Sequence, residues 1–334
     1  MSGSKITLII GAGQLGSRHL QGVLKCKVKQ TVYVLDSSEL SLANCKLRES
    51  EVEHDHDVVF TNDWGFIPHE INIVIISTSS NVRYPVLKQL LAHASVENII
   101  LEKVLFQSLN EYEYVNELVS INSPCQFWVN HPRRESSFYN NLKSRINGLT
   151  SIDSVFVFGE DWGLGCNSLH FIDTISFLIN SDLSMMEANL VDRGILNSKR
   201  AGYVEFTGSV NGKFKNGTFI NLISTRQEKG IPNTFKKIYI NISTGFENIV
   251  IRESVNSCAF FCSKEEDNSV EIVPFNLKFQ NELTADLTTS LFSTNYCGLP
   301  KYAEAYTNHK LFVGALLREY NLINNTTVTH LPIT

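Results

Sequence analysis

Apolar and polar positions follow different patterns in the two halves of the chain. In the first third, β-branched runs such as KITLII, TVYVLD and INIVIIST alternate with segments whose apolar residues recur at helical spacing. Alternation of this kind predicts a parallel, doubly wound sheet with right-handed crossovers. Further strands are predicted at VVFTND, VENIILEK and QFWVN, and helices at residues 14–25, 38–48, 83–93 and 109–119.

Beyond a break at Ser123 and Pro124, the pattern becomes mostly stranded. Strands are predicted at SVFVF, YVEFTGSV, GTFINLIS, KKIYINIS and VEIVPFNL, and helices at residues 164–179 and 302–320. The dipeptides Asn211-Gly212 and Asn216-Gly217 predict two hairpin turns.

These patterns predict an α/β protein of two domains. Residues 1–125 form the doubly wound domain, and residues 126–334 form an α+β domain with a large, mostly antiparallel sheet that is open on one face. The helix at 302–320 is expected to pack back on the body. A length of 334 residues agrees with two domains, and a cleft between them would offer a binding site.

The charge balance and the short apolar runs exclude several classes of partner. A net charge of −5 provides no field for a phosphate backbone, so no nucleic acid partner is expected. The apolar runs are far shorter than the roughly 20 residues that cross a bilayer, so no membrane partner is expected either. The N-terminus MSGSKITLII has no leader pattern, and we expect a cytoplasmic protein.

Cysteines and histidines do not show metal-ligand spacing. The seven cysteines are scattered, and the close pair Cys258 and Cys262 has no matching second pair. His54 and His56 flank Asp55 in a polar run that is typical of a solvated loop. Reduced thiols and no metal are therefore predicted.

A glycine pattern after the first strand carries the strongest functional signal. Gly11, Gly13 and Gly16 form GAGQLG between a strand and a helix, the arrangement that binds a dinucleotide pyrophosphate at a helix N-terminus. Asp36 ends the second strand, where a carboxylate can accept hydrogen bonds from the adenosine ribose and repel a 2′-phosphate. The pattern therefore predicts a Rossmann domain and favours NAD(H) over NADP.

At this point the chain resembles the glucose-fructose oxidoreductase and inositol dehydrogenase family (Gfo/Idh/MocA), over nearly its whole length. The resemblance rests on four ordered segments: STSSNVRYPVLKQLL, LEKVLFQSLNEYEYV, NHPRR and GLGCNSLHFIDTISFL. It implies a Rossmann domain, an open-faced second domain, and reversible hydride transfer at a sugar-like hydroxyl. Two positions depart from the family pattern, because Val104 replaces a proline and Cys166 replaces an aspartate found in many members.

The loop and the resemblance together define the predicted cofactor contacts. The segment from Ser77 to Asn81 would lie along the nicotinamide ribose. The contacts are Gly11, Gly13, Gln14, Leu15, Gly16, Asp36, Ser37, Ser77, Thr78, Ser79, Asn81, Glu102 and Lys103.

The predicted catalytic residues are Lys103 and His170. Lys103 follows a strand at the carboxyl edge of the sheet and could hydrogen-bond the reacting hydroxyl and the cofactor ribose. His170 can accept and return a proton near neutral pH. Cys166 and Asp173 share its helix face and are candidates for a proton relay. Substrate contacts are predicted at Arg133, Arg134, Trp162 and Asn167.

The expected function is an NAD-dependent dehydrogenase or reductase acting on a sugar, a sugar acid or a nucleotide-sugar. Cys166 keeps open a cofactor-binding protein without redox turnover, either a sensor or an inactive relative. A lyase or glycosidase that uses bound NAD as an internal redox catalyst is a third possibility. The open sheet face favours a homo-oligomer through the second domain.

Overall fold

The structure, a computed structural model, describes residues 5–147, 151–198, 200–226, 238–262 and 269–334. The chain divides into two compact units. The first unit contains the chain up to Phe106 together with Asn110–Pro132 and Lys278–Ala303, and the second contains Gln107–Leu109, Arg133–Leu277 and Glu304–Thr334. The predicted fold class, α/β with a parallel N-terminal sheet and a mostly antiparallel C-terminal sheet, is confirmed.

The first unit is built on a parallel sheet with the order β3-β2-β1-β4-β5-β6. Its strands are β1 (Lys5–Ile10), β2 (Gln30–Leu35), β3 (Asp57–Thr61), β4 (Glu70–Ile76), β5 (Ser95–Leu101) and β6 (Gln126–Val129). Its first four helices are α1 (Gln14–Val23), α2 (Glu39–Glu49), α3 (Ser80–His93) and α4 (Leu109–Ile121). The β-branched runs fill the strands because both faces of such a sheet are covered by helices.

The strand order places the candidate residues at one edge of this sheet. Strand order reverses between β1 and β4, and ligands of open α/β sheets bind outside the carboxyl ends of the strands at such a point. Gly11 follows β1, Asp36 follows β2, Ser77 follows β4 and Glu102 follows β5. The fold therefore gathers four predicted segments at the edge where a cofactor would bind.

The second unit carries an eight-stranded sheet within the described residues, with the order β14-β13-β12-β11-β7-β10-β9-β8. Neighbouring strands are antiparallel except β7 and β10, which are parallel. The strands are β7 (Ile152–Glu160), β8 (Leu183–Asn197), β9 (Val204–Phe214), β10 (Phe219–Thr225), β11 (Tyr239–Thr244), β12 (Glu247–Arg252), β13 (Ser257–Cys262) and β14 (Val270–Pro274).

Helices cover one face of this second sheet. The helix α5 (Ser137–Asn147) packs on α6 (Leu164–Ile179), and α6 packs on the central strands β7, β9 and β10. The helix α7 (Gln280–Thr294) returns to the first unit and packs on α1. The last helix, α8 (Tyr302–Asn324), begins where the sequence predicts, and Arg318 donates to the carbonyl of Met186 on β8. None of the described helices is long and apolar enough to cross a bilayer.

Two sequence predictions about the elements need correction, and a third falls partly outside the described residues. Asn211 and Gly212 lie inside β9 and pair with β10, so they form no hairpin turn, whereas Asn216 and Gly217 do form the turn between these strands. The boundary after residue 125 is too early, because β6 pairs with β5 in the first sheet. The first two residues of the predicted strand KKIYINIS lie outside the described residues.

Candidate functional site

The glycine loop connects β1 to α1, and two of its three glycines lie where no larger residue fits. Gly11 has a φ of +100°, and a Cβ there would lie 2.9 Å from the backbone nitrogen of Thr78. A Cβ on Gly16 would lie 1.8 Å from the carbonyl oxygen of Gly11. By contrast, a Cβ on Gly13 would meet no atom within 4 Å. The loop is therefore closed on its protein side and open at Gly13, where a ligand can approach.

The open side of the loop is the N-terminus of α1. Gly13 is the N-cap and has no side chain to accept the first helical N–H groups. Gln14 is exposed and Leu15 half-buried in the first turn. Backbone N–H groups and the helix dipole make such a terminus favourable for a phosphate.

Asp36 stands beside this loop with a fixed carboxylate. Its Oδ2 accepts from the N–H of Ala12 at 2.6 Å, and its Oδ1 accepts from the N–H of Ser38 at 2.8 Å. A carboxylate oxygen has room for further donors, so both oxygens can still receive ribose hydroxyls. Ser37, the next residue, is exposed and carries no positive charge.

The segment after β4 lines the same edge. Ser77 donates its hydroxyl to the carbonyl of Gly11 at 2.8 Å and so supports the glycine loop. The Thr78 Oγ1 atom is buried and has no hydrogen-bond partner among the described residues. Ser79 is the N-cap of α3 and makes no side-chain capping bond, and Asn81 is exposed on the first turn of that helix.

These residues fit a bound dinucleotide. The open position at Gly13, the uncapped start of α1, the carboxylate of Asp36 and the orphaned hydroxyl of Thr78 all lie at one sheet edge. An orphaned buried hydroxyl is uncommon in a protein unless something else satisfies it. Among the described residues, no group of three or more His, Cys, Asp or Glu side chains could hold a metal ion.

Lys103 lies two residues after the buried end of β5 and is half-buried. The Lys103–Val104 peptide bond is cis although no proline follows the lysine. Just behind it lies Arg83, which is 2% exposed and donates to the carbonyls of Thr78, Val104 and Leu105, the last at 3.0 Å. Arg83 thus ties the chain after Lys103 to the segment that follows β4.

Glu102 has a different role from the predicted one. Its side chain is buried, and Oε1 accepts from Asn130 and lies 2.9 Å from Nε2 of His19, whose Nδ1 lies 2.9 Å from Thr284 Oγ1. Burial raises the pKa of Glu102, but the hydrogen bonds and charge of His19 outweigh burial and lower the pKa overall. The prediction of a cofactor contact is wrong for this carboxylate, which joins β5, β6, α1 and α7 beneath Lys103.

In the second unit, α6 begins at a glycine pair that faces a carboxylate. Gly163 is the N-cap, with a φ of +80°. Glu205 on β9 accepts from the N–H of Gly165 at 2.8 Å and from the N–H of Cys166 at 3.1 Å. A Cβ on Gly163 or on Gly165 would lie 3.2 or 3.1 Å from an oxygen of Glu205, so the glycines provide the room for its carboxylate.

Three predicted site residues lie on the first two turns of α6. Cys166, Asn167 and His170 are all half-buried. The amide of Asn167 donates to the carbonyl of Trp162 at 2.6 Å, which fixes the orientation of that side chain. The spacing of Cys166 and His170 places them one turn apart on one helix face, as the sequence predicts.

Trp162 does not offer a surface for a sugar ring. It is fully buried, its indole N–H donates to the carbonyl of Ile223 at 2.8 Å, and its ring meets Phe171 edge to face at 5.4 Å. The prediction of a stacking contact is wrong because the packing beneath α6 uses the whole ring.

The two arginines are held by carboxylates of their own chain. Arg133 binds Glu253 through two hydrogen bonds of 2.5 and 2.6 Å. Arg134 binds Asp173 through two bonds of 2.8 and 3.0 Å and also binds Glu304 at 2.8 Å. These pairs fix the orientation of both guanidiniums and of Asp173, whose substrate and relay roles stay predictions. Burial raises the pKa of Asp173 to about 6 although Arg134 opposes the shift.

Three residues that organise the candidate regions were not predicted from the sequence: His19 and Arg83 in the first unit, and Glu205 in the second. His19 and Arg83 each lie on the buried face of a helix, at the spacing of its apolar residues. A polar residue at a position where the helical pattern expects an apolar one could have been recognised in the sequence. No local pattern pointed to Glu205, because its contacts are with a helix about 40 residues away in sequence.

Comparison with known proteins shows which family the first part of the chain resembles. Residues 6–131 match the GFO_IDH_MocA family, described as an oxidoreductase family with an NAD-binding Rossmann fold. Residues 6–131 are therefore similar to the NAD-binding Rossmann domain of the Gfo/Idh/MocA oxidoreductase family. The resemblance seen in the sequence is thereby confirmed, while no curated protein matches the chain.

Several solved structures share the fold of almost the whole chain. A super-repressor mutant of Gal80p from Saccharomyces cerevisiae is 14% identical, with 98% of this chain and 97% of that chain covered and a TM-score of 0.74. An oxidoreductase from Agrobacterium radiobacter, solved with NAD+, L-tartaric acid and magnesium, is 13% identical, with 98% of each chain covered and a TM-score of 0.73.

A third neighbour is the UDP-N-acetylglucosamine 3-dehydrogenase of Acidithiobacillus ferrooxidans. It is 13% identical, with 93% of this chain and 96% of that chain covered and a TM-score of 0.70. At such low identity, these neighbours support the fold of both units and leave the substrate open.

Proposed function

We propose that the protein is an NAD(H)-dependent oxidoreductase that transfers a hydride to or from a hydroxyl or keto carbon of a sugar-like substrate. The observation that carries the proposal is the edge of the first sheet, where the open glycine loop, Asp36 and Lys103 lie at the ends of β1, β2 and β5. In open α/β sheets this edge binds the cofactor and the reacting part of the substrate.

In this proposal, residues of the chain bind the substrate and accept or return the proton of its reacting hydroxyl. The Lys103 ammonium can donate to the reacting oxygen and stabilise the charge that develops there as the proton leaves. His170 is our candidate for the group that accepts and returns this proton, and Asn167 a candidate for binding a substrate hydroxyl. When bound, the nicotinamide cofactor supplies the hydride acceptor or donor.

The proposed cofactor is NAD(H). Asp36 is fixed by two backbone N–H groups and presents a negative charge where the adenosine ribose of a dinucleotide lies in this fold. A 2′-phosphate would meet that charge, and the neighbouring Ser37 and Ser38 offer no cation to compensate. Asp36→Ala should therefore weaken NADH binding and reduce the ratio of NADH affinity to NADPH affinity. Isothermal titration of both cofactors would measure this.

The activity test is a panel of neutral sugars, sugar acids and nucleotide-sugars, with NADH absorbance as the readout. We expect turnover of at least one compound, and we expect Lys103→Ala to abolish it while NADH affinity stays within about threefold. Retained turnover in the Lys103→Ala protein would overturn the proposed role of this residue. Lys88→Ala, on the outer side of α3, is a matched control that should leave both quantities unchanged.

A second candidate is a cofactor-binding sensor or regulator without net turnover. Two features favour it: the family resemblance implies an aspartate where this chain has Cys166, and both oxygens of Asp173 accept hydrogen bonds from Arg134. Tight NADH binding with no absorbance change across the panel would support this candidate.

Altered sugar products without NADH formation would instead indicate a lyase or glycosidase that recycles bound NAD.

We also propose that the second unit forms a homo-oligomer through the uncovered face of its sheet. Phe156 and Phe158 on β7 are each 44% exposed, and Phe219 on the neighbouring β10 is 53% exposed. The alternating Val155 and Val157 are fully buried on the opposite face. Aromatic side chains clustered on one sheet face are typical of a surface that another protein covers.

A further inference from the structure

Glu205 holds a position that a helix N-terminus ordinarily offers to an anion. Its two oxygens accept from Gly165 and Cys166, two first-turn N–H groups of α6. The N-cap Gly163 contributes no side-chain cap, so the carboxylate comes from a distant strand instead. The negative charge lies where the helix dipole and free N–H groups would attract a ligand carboxylate or phosphate.

The same turn carries the residues proposed to meet the substrate. Cys166 is itself one of the two hydrogen-bond donors to Glu205, Asn167 is the next residue, and His170 lies one turn further along. A charge fixed within hydrogen-bond distance of this turn acts on any ligand group that approaches it. A second negative charge placed there would be repelled rather than bound.

We propose that Glu205 determines the charge selectivity of the substrate site by occupying the anion position at the start of α6. The inference rests on the proposed function and narrows its substrate class to sugars that are uncharged at the end facing Cys166 and His170. Sugar acids would be rejected at this end. A nucleotide-sugar fits only if its phosphates lie elsewhere.

The substrate experiment compares matched neutral and acidic sugars, such as galactose with galacturonate and glucose with glucuronate. For each pair, kcat/KM is measured in the native protein, in Glu205→Gln and in Glu205→Asp. We expect at least a tenfold preference for the neutral sugar in the native protein. Glu205→Gln should narrow the preference at least fivefold, mainly through a lower KM for the acid, and Glu205→Asp should retain most of it.

A chemical experiment tests the same charge effect without turnover. Cys166 is alkylated with neutral iodoacetamide or with anionic iodoacetate, and the modified Cys166 peptide is quantified by mass spectrometry. Against the same peptide in denaturant, the folded protein should favour iodoacetamide at least fivefold. Glu205→Gln should reduce that preference toward the denatured value, because the charge that repels iodoacetate is removed.

Glu187→Gln provides a matched control, since Glu187 is an exposed glutamate of the same sheet. It removes an equal charge and should change neither ratio. An unchanged alkylation ratio in Glu205→Gln, or an equal change in Glu187→Gln, would overturn the inference. If no sugar is oxidised but the alkylation ratio shifts as expected, the proposed function fails and the charge selectivity of the site stands.

Discussion

Two buried charged side chains support the backbone around Lys103. Arg83 donates to carbonyls on both sides of the site, at Thr78 and at Val104 and Leu105. Glu102, the residue before Lys103, is bound by His19 and Asn130. A buried charge is costly unless hydrogen bonds satisfy it, so such an arrangement makes the local geometry sensitive to small changes.

Substitution of Arg83 tests whether it positions Lys103. Arg83→Lys keeps the charge but cannot reach three carbonyls from two segments. We expect kcat to fall about 10- to 100-fold with a smaller change in KM, because misplacement of a catalytic group affects the transition state more than binding. Steady-state kinetics and thermal unfolding together check this. An unchanged kcat in a folded variant would contradict the positioning role.

Glu102→Gln tests the buried pair with His19. A carboxyl group whose pKa is lowered on folding contributes stability that is present above its unfolded pKa and is lost as pH falls through the folded value. The variant should therefore be less stable by about 1–3 kcal/mol at neutral pH, and the difference should shrink below about pH 4.5. Urea unfolding of both proteins across this pH range measures it. A difference that grows on acidification would contradict the assignment.

At the scale of elements, two glycines of the loop have different roles: Gly16 is needed for packing, and Gly13 for the approach of a ligand. A Cβ on Gly16 would overlap the carbonyl of Gly11, whereas a Cβ on Gly13 would enter open space. We expect Gly16→Ala to destabilise the protein by about 3 kcal/mol or more. Gly13→Ala should fold normally and bind NADH about tenfold more weakly, or by about 1.4 kcal/mol. Thermal melts and cofactor titration distinguish the two effects. Normal NADH affinity in Gly13→Ala would contradict the proposed approach of the pyrophosphate.

Elements with regular periodicity could be predicted from the sequence, whereas contacts between distant segments could not. Parallel strands such as β1 and β4 are continuous apolar runs, and their parallel direction was predicted from the alternation with helices. The helix α7 and the strand β12 were missed because polar residues lie among or beside their apolar positions. The strand β13 was missed although SCAFFC is mostly apolar, because so short a run has no clear periodicity. The role predicted for Trp162 was wrong because its ring is fully buried, and the acidic partners of Arg133 and Arg134 could not be predicted because they lie far away in sequence.

At the scale of the whole molecule, the open sheet face predicts assembly. Phe158→Lys places a charge in the middle of the exposed aromatic cluster and leaves the buried face of β7 unchanged. We expect sedimentation velocity to show a shift toward monomer at micromolar concentration, because a charge buried in an apolar interface is strongly unfavourable. Asp153→Lys, near the end of the same strand, is the matched control. A native protein that sediments as a monomer would contradict the proposed interface.

The most direct test of the account is to follow the hydride itself. The protein is incubated with NADH deuterated at the transferable C4 position and with a pool of keto-sugars, and the products are analysed by mass spectrometry. We predict that deuterium appears on the reduced carbon in a 1:1 ratio to NAD+ formed, and that Lys103→Ala shows no transfer. Tight binding of the deuterated NADH with no loss of deuterium to any sugar would contradict the proposal that this protein is an oxidoreductase.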